Sequence, residues 1–233
     1  MKALKIMLNE LELTGRARTH IVQLSEPRFA AQQEAATAFL DMRADARRSG
    51  IDLLPYSSFR DFRTQLRIWN GKFSGGKPLY DLEGHARDYS SLSPSEIISC
   101  ILNWSALPGG SRHQWGTEID VVDGLAMPPD YVPKLLPEET APGGIFSDLH
   151  NWLDANIAAF GFFRPYKYFK GGMYPEPWHL SYAPLSMPAL QLVTIELLAD
   201  AIRDADMLGK ELVLEKLPSI YRNHIINITL PDE

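Results

Sequence analysis

The sequence predicts an α+β fold, on three observations. Short apolar runs with strand character are interspersed with helical runs. They show no regular strand–helix–strand alternation, which disfavours a doubly wound sheet. The chain has 233 residues, 45% hydrophobic and 22% charged, an ordinary globular composition long enough to bury a sizeable core.

Taken in order, residues 28–48 are rich in Ala, Gln, Glu and Arg, and Phe29, Ala36, Phe39, Leu40 and Met42 supply an apolar stripe. This predicts a helix that Gly50 stops. Residues 51–57 carry a Pro inside a short apolar run and read as a strand near a sheet edge. Residues 61–70 read as helix and 71–76 as a Gly-rich loop. Ser93-Pro94-Ser95-Glu96 is a capping box with Pro at the first helical position, opening a helix to about Trp104. Pro108-Gly109-Gly110 is a turn, Thr117 to Val122 a strand, and 124–144 a long Pro- and Gly-containing loop. Ser147 is expected to cap a helix ending near Gly161. A turn at 171–177 precedes a short strand at 178–183. Helix is expected from Pro188 to about Met207 and again over 209–222.

Charge and cysteine usage narrow the function classes. The formal net charge is -6 and no Lys/Arg block stands out, so nucleic acid is not the expected partner. Cys100 is the sole cysteine, which excludes an intrachain disulfide, and its apolar neighbours predict a buried core thiol. At the N-terminus, Asn9, Glu10 and Glu12 interrupt the stretch of roughly 7–15 apolar residues that a signal peptide needs. No run reaches the roughly 20 apolar residues of a membrane span. The expectation is a cytoplasmic chain with no membrane partner and an oligomeric state the sequence leaves open.

The segments that carry chemistry are Ser111-Arg112-His113-Gln114-Trp115-Gly116-Thr117-Glu118-Ile119-Asp120 and Glu176-Pro177-Trp178-His179. Zinc accepts imidazole nitrogen and carboxylate oxygen, and a catalytic site uses three protein ligands with a fourth position for water. Two His and one Asp meet that count. A peptidase also needs a carboxylate to move a proton from water to the leaving amine, and Glu176 stands three residues before His179. Pro177 disfavours a helical Glu-x-x-His arrangement. A turn at 173–177 is therefore expected to bring Glu176 and His179 into one cleft, with Trp178 a packing residue.

The pattern Ser111-x-His113-x-x-Gly116-x-x-x-Asp120, followed by Glu176-x-Trp178-His179, resembles the signature of the VanY-type D-alanyl-D-alanine carboxypeptidases. Ser57-Ser58-Phe59-Arg60-Asp61-Phe62-Arg63-Thr64-Gln65 is similar to a third block of that family. Trp152-Leu153-x-x-Asn156-x-x-x-Phe160-Gly161-Phe162 is similar to a fourth. The four blocks keep the family's order. The resemblance implies a small antiparallel sheet flanked by helices, of the hedgehog/D-Ala-D-Ala peptidase-like kind, over residues 1–185. Residues 186–233 are expected to form a helical extension packed on the same domain. It implies one zinc ion held by His113, Asp120 and His179, Glu176 as catalytic base, and Arg60 and Ser111 on the substrate, with Gln65 in support. A surface salt bridge is the competing reading of Arg60. The implied substrate is a peptidoglycan stem peptide or muropeptide. Removal of C-terminal D-Ala leads, with an L,D-carboxypeptidase or endopeptidase reaction, or a non-catalytic zinc module, as alternatives.

The family usually has Ala where this chain has Glu118. On a strand, Glu118 and Asp120 share one face, so Glu118 is expected to line the cleft and bias substrate choice. The competing reading is a partly exposed Glu paired with Arg112. Three further signals are set aside. Gly71-Lys72-Phe73-Ser74-Gly75-Gly76-Lys77-Pro78 ends in Pro where a phosphate-binding loop needs a hydroxyl. His20, His85, His150 and His224 have no partner pattern and read as surface or structural. Asp123 reads as a turn residue more readily than as a group supporting Asp120 from behind.

Overall fold

The computed structural model describes residues 7–233, so the first residues of the stretch read for a signal peptide lie outside the described residues. The elements in order are α1 (Glu10–Leu13), β1 (Val22–Ser25), β2 (Arg28–Ala31), α2 (Gln33–Arg48), β3 (Leu53–Ser57), α3 (Phe62–Phe73), α4 (Pro94–Trp104), β4 (Glu118–Asp123), α5 (Pro137–Thr140), α6 (Ser147–Asn156), β5 (Phe162–Phe163), β6 (His179–Tyr182), α7 (Ala183–Leu192), α8 (Ile195–Arg203) and α9 (Lys210–Ile220). A four-stranded antiparallel sheet runs β3-β4-β6-β5, and β1 and β2 form a separate hairpin. The α+β class with a small antiparallel sheet, read from the sequence, is the class observed.

Period-2 alternation explains the sheet's two faces. On β4, Ile119 and Val121 enter one apolar core together with Leu180 of β6. Glu118 and Asp120 therefore take the opposite face. In the β4–β6 register Glu118 pairs with Ser181 and Asp120 with His179. Residues opposite one another on paired strands share a face, so four polar side chains gather behind the core. Helix α2 closes the apolar side. Its buried residues Ala35, Ala36, Phe39, Met42 and Ala46 recur at helical spacing. Pro55 sits on edge strand β3, where its missing N–H costs no ladder bond.

A second core is helical. It gathers Trp69 of α3, Ile97, Ile98, Ile101 and Leu102 of α4, and Leu198, Ile202, Val213 and Leu217 of the C-terminal helices, with Cys100 among them. The Trp69 indole N–H donates to the Leu208 carbonyl at 3.0 Å, and Asn70 bonds both Asp206 and Leu208, tying α3 to the turn before α9. Among the described residues no single helix is long and apolar enough to cross a membrane; α7 and α8 pass only as a pair bent by 79°.

Several boundaries differ from the sequence reading. Residues 28–31 are strand, because they pair with Val22–Ser25. Phe29 still meets Phe39 across the core, ring centroids 5.2 Å apart. Helix α3 is capped by Asp61, whose carboxylate accepts from the Thr64 N–H at 2.7 Å, and it continues through Lys72 to Phe73. Ser147 is the first residue of α6 and makes no capping bond; Phe146 is the cap. The helix expected from 188 to 207 starts earlier and is two helices, because Thr194 caps α8 through the Leu197 N–H. The long loop at 124–144 contains the short helix α5.

Candidate metal centre and cleft

His113 stands on a single helical turn, Arg112–Trp115, that ends at Gly116 with φ 68°. Only glycine is at ease there, and space imposes the same requirement: a Cβ on Gly116 would lie 2.2 Å from Ile21 Cδ1 and 3.1 Å from the Gln32 nitrogen. The turn releases the chain into β4, whose third residue, Asp120, lines the cleft. His179 opens β6 directly opposite Asp120. Just before it, the His179 N–H donates to the Glu176 carbonyl at 3.0 Å, a tight turn with Pro177 at its second position. The turn thus spans 176–179, a few residues later than expected. It returns Glu176 to the same cleft, with an oxygen 3.5 Å from His179 Nδ1. Trp178 is buried in the turn and stacks on Trp104 with ring planes 10° apart.

One donor atom from each of His113, Asp120 and His179 lies within 4.8 Å of the others. His113 Nε2 is 3.4 Å from Asp120 Oδ2, and His179 Nδ1 is 3.1 Å from Asp120 Oδ1. Asp120 Oδ1 is buried without a hydrogen bond, which an ion shared with both imidazoles would satisfy. Two nitrogens and one carboxylate are the donor set of an open divalent-metal site. The fit is therefore good on donor chemistry and on the orphaned oxygen. Around the same point, burial opposes ionisation of Asp120, but both histidines outweigh it and hold its carboxyl well below the usual range. Burial lowers His113, against the pull of Asp120. His179 is raised despite burial, by the carboxylates of Asp120 beside Nδ1 and Glu118 on Nε2. Glu176 moves the other way: burial pushes its carboxyl up to about 7, with His179 opposing.

The cleft has a volume of about 230 Å³. Arg60 lines it, held by Gln65 Oε1 at 2.9 Å and Ser57 Oγ at 3.0 Å. Both partners are neutral, and the surface salt bridge read as its alternative does not form among the described residues. Its backbone N–H also donates to the His113 carbonyl, and the Ser58 carbonyl accepts from His113 Nδ1 at 2.8 Å. The Ser57–Arg60 block thus braces the first histidine as well as facing the cleft. Ser111 lines the same cleft, and its buried hydroxyl has no partner.

Glu118 requires a correction. It is 0% exposed and takes no part in the cleft wall. Strand alternation puts it on Asp120's side, but two residues deeper, where β6 and Arg112 cover it. It bonds His179 Nε2 at 2.8 Å and accepts from Ser181 and Thr117, with Arg112 at 3.3 Å. The pairing with Arg112 holds; the exposure does not. Asp123 is buried and satisfied by the backbone N–H groups of Asp52 and Leu125, away from the metal donors. His150 is buried against Arg164, and burial pushes its imidazole down to about 3.

Two cleft residues escaped the sequence reading. Lys72 lines the wall opposite the sheet, and among the described residues it has no ion-pair partner within 4.0 Å. Burial pushes its ammonium down to about 8, with Glu176 opposing. The available signal was spacing: Lys72 follows Gln65 by seven residues, two turns on one face of α3. It was missed because 71–76 was read as loop. Tyr166, the second, packs its ring 5.0 Å from that of His179, and no local pattern marked it.

The chain thus combines a small antiparallel sheet packed against helices with a His/Asp/His cluster beside a buried Glu. The family model for VanY, D-alanyl-D-alanine carboxypeptidase, matches residues 28–185, and the chain belongs to that family. An uncharacterized protein of Haemophilus influenzae is 33% identical over 122 residues, covering 52% of this chain and 93% of that one. A D-alanyl-D-alanine carboxypeptidase of Enterococcus faecalis is 28% identical over 146 residues, 61% of this chain but only 44% of the relative. Among solved structures, VanYB in complex with D-Alanine-D-Alanine superposes with a TM-score of 0.53 at 19% identity, covering 88% of this chain and 93% of that one. A VanY variant in complex with Zn(II) gives 0.51 at 20% identity, with 74% and 84% covered. Both share the fold.

Proposed function

We propose that this chain is a zinc-dependent peptidase that removes a C-terminal D-Ala from peptidoglycan stem peptides or muropeptides. The observation that carries the reading is the convergence of His113, Asp120 and His179 donors within 4.8 Å, with the Glu176 carboxylate beside them in one cleft. His113, Asp120 and His179 would hold one zinc ion. When bound, zinc lowers the pKa of a water to about 7 and polarises a carbonyl oxygen.

The chain's own residues supply the rest. Glu176, with a carboxyl pushed up to about 7, takes a proton from the attacking water at neutral pH and passes it to the leaving amine. Arg60 presents a guanidinium whose protein partners are neutral, leaving its charge for the substrate's terminal carboxylate. Ser111 offers its unpartnered hydroxyl to the peptide backbone. Lys72 adds positive charge on the opposite wall. The Zn(II) and D-Alanine-D-Alanine complexes of the VanY structures support the same chemistry.

The test is mass spectrometry of a stem pentapeptide ending in D-Ala-D-Ala after incubation with zinc-loaded protein, with Glu176→Ala alongside. Loss of one terminal alanine is expected. The variant should keep its zinc and lose about 10²–10⁴-fold in rate. Cleavage at another bond would move the assignment to an L,D-carboxypeptidase or endopeptidase. A zinc-loaded protein that cleaves no stem peptide would be a binding module.

A further inference from the structure

We infer that Glu118 is a positioning residue for the metal centre, fixing which nitrogen of His179 faces the ion; this rests on the metal-site reading above. An imidazole offers two nitrogens, and its neighbours decide which one carries the proton. His179 Nδ1 faces Asp120 Oδ1 at 3.1 Å and Glu176 Oε2 at 3.5 Å, so it is the nitrogen in the cleft. Nε2 points the opposite way, 2.8 Å from Glu118 Oε2. An ionised carboxylate only accepts hydrogen bonds. When the ring is neutral, as a metal ligand must be, Glu118 therefore keeps the proton on Nε2 and leaves the Nδ1 lone pair for the ion.

Glu118 is itself fixed on every side. Its other oxygen accepts from Thr117 Oγ1 at 2.9 Å and Ser181 Oγ at 2.8 Å, and lies 3.3 Å from Arg112 Nη2. Arg112 also donates to Ser181 Oγ at 2.7 Å and stacks over Trp115, 4.7 Å from the ring centroid. A fully buried carboxylate is tolerable only with such a cation and full hydrogen bonding. Here both are present, and the one bond aimed toward the cleft goes to His179.

The other histidine gives an internal contrast. His113 Nδ1 donates to a neutral carbonyl, that of Ser58, at 2.8 Å. Both ligands are oriented from behind, but only His179 is backed by a charge. A carboxylate behind a ligating imidazole raises its basicity and locks its ring. His179 is accordingly the ligand whose metal bond depends on a buried ion pair.

The experiment is zinc affinity, by competition with a chelator at fixed pH, for wild type and Glu118→Gln, with the thermal midpoint of each metal-free protein measured alongside. Glutamine keeps the shape and removes the charge. Affinity should fall by about 10- to 100-fold with one ion still bound per chain. Wild-type affinity in Glu118→Gln would overturn the inference while leaving the metal centre intact. A wild-type protein that takes up no divalent metal would overturn both. Should Glu118→Gln fail to fold, long-range nitrogen–proton NMR of the zinc-loaded wild type decides. The inference requires metal on His179 Nδ1 and a proton on Nε2; metal on Nε2 overturns it.

Discussion

The two cores of this molecule contribute to one cleft in different ways. The sheet core, under α2, supports every candidate metal donor: Asp120 and His179 on paired strands, and His113 on the turn leading into β4. Glu176 sits in the turn before β6. The helical core supports the opposite wall, with Lys72 on α3 and Trp104 on α4. Asp120 and His179 have their spacing set by the strand ladder, and the two histidines are tied from behind, His113 by the Ser58 carbonyl and His179 by Glu118. On the helical wall, Trp104 stacks on Trp178 and its indole N–H donates to the Asp81 carbonyl at 3.0 Å. The contrast separates the two sides of one cleft: the candidate donors stand on the sheet and the turns that feed it, and the facing wall stands on helices.

Three substitutions put that contrast at risk, in descending order of effect. Ile202 is wholly buried in the helical core, and Ile202→Ala should lower stability by about 2–5 kcal/mol in denaturant titration. Zinc stoichiometry of the remaining folded protein should stay at one; loss of metal in the folded fraction would mean that the cores are a single unit. Arg60→Met should lower kcat/KM by about 10- to 100-fold, corresponding to a lost charge-assisted bond of ~1.5–3 kcal/mol, with zinc content unchanged. An unaltered rate would return Arg60 to a structural role. Lys72→Met should cost only about fivefold in kcat/KM, the value of ~1 kcal/mol. Its pH dependence sharpens the point. The ammonium is charged below about 8 and loses its proton as pH rises through that value. The wild-type advantage over Lys72→Met should therefore be full below pH 8 and vanish above it, read from paired kcat/KM profiles.

Legibility in the sequence followed locality. The capping box at Ser93–Glu96 and the helix it opens could be read directly, because a cap is satisfied within four residues. The β1–β2 hairpin was hidden, since Arg28–Ala31 continues the helix-forming composition of α2 and becomes strand only by pairing with Val22–Ser25. The break at Thr194 was equally concealed. Its apolar surroundings read as uninterrupted helix until the Thr194 hydroxyl turns back to the Leu197 N–H.

The sequence by itself determined the α+β class, the candidate donors His113, Asp120 and His179, the nearby Glu176, and the turn that Pro177 imposes. The class rests on the order of short elements, the turn on Pro177, and the donors and Glu176 on residue type together with the resemblance to the family whose model matches residues 28–185. Tertiary structure alone decided the fate of Glu118. Alternation could say which face it shares with Asp120, but not that β6 and Arg112 cover that depth of the face. It alone brought Lys72 to the cleft, since the side chain's neighbour Glu176 lies a hundred residues downstream. Burial and long-range pairing depend on which elements pack together, and no local pattern carries that information.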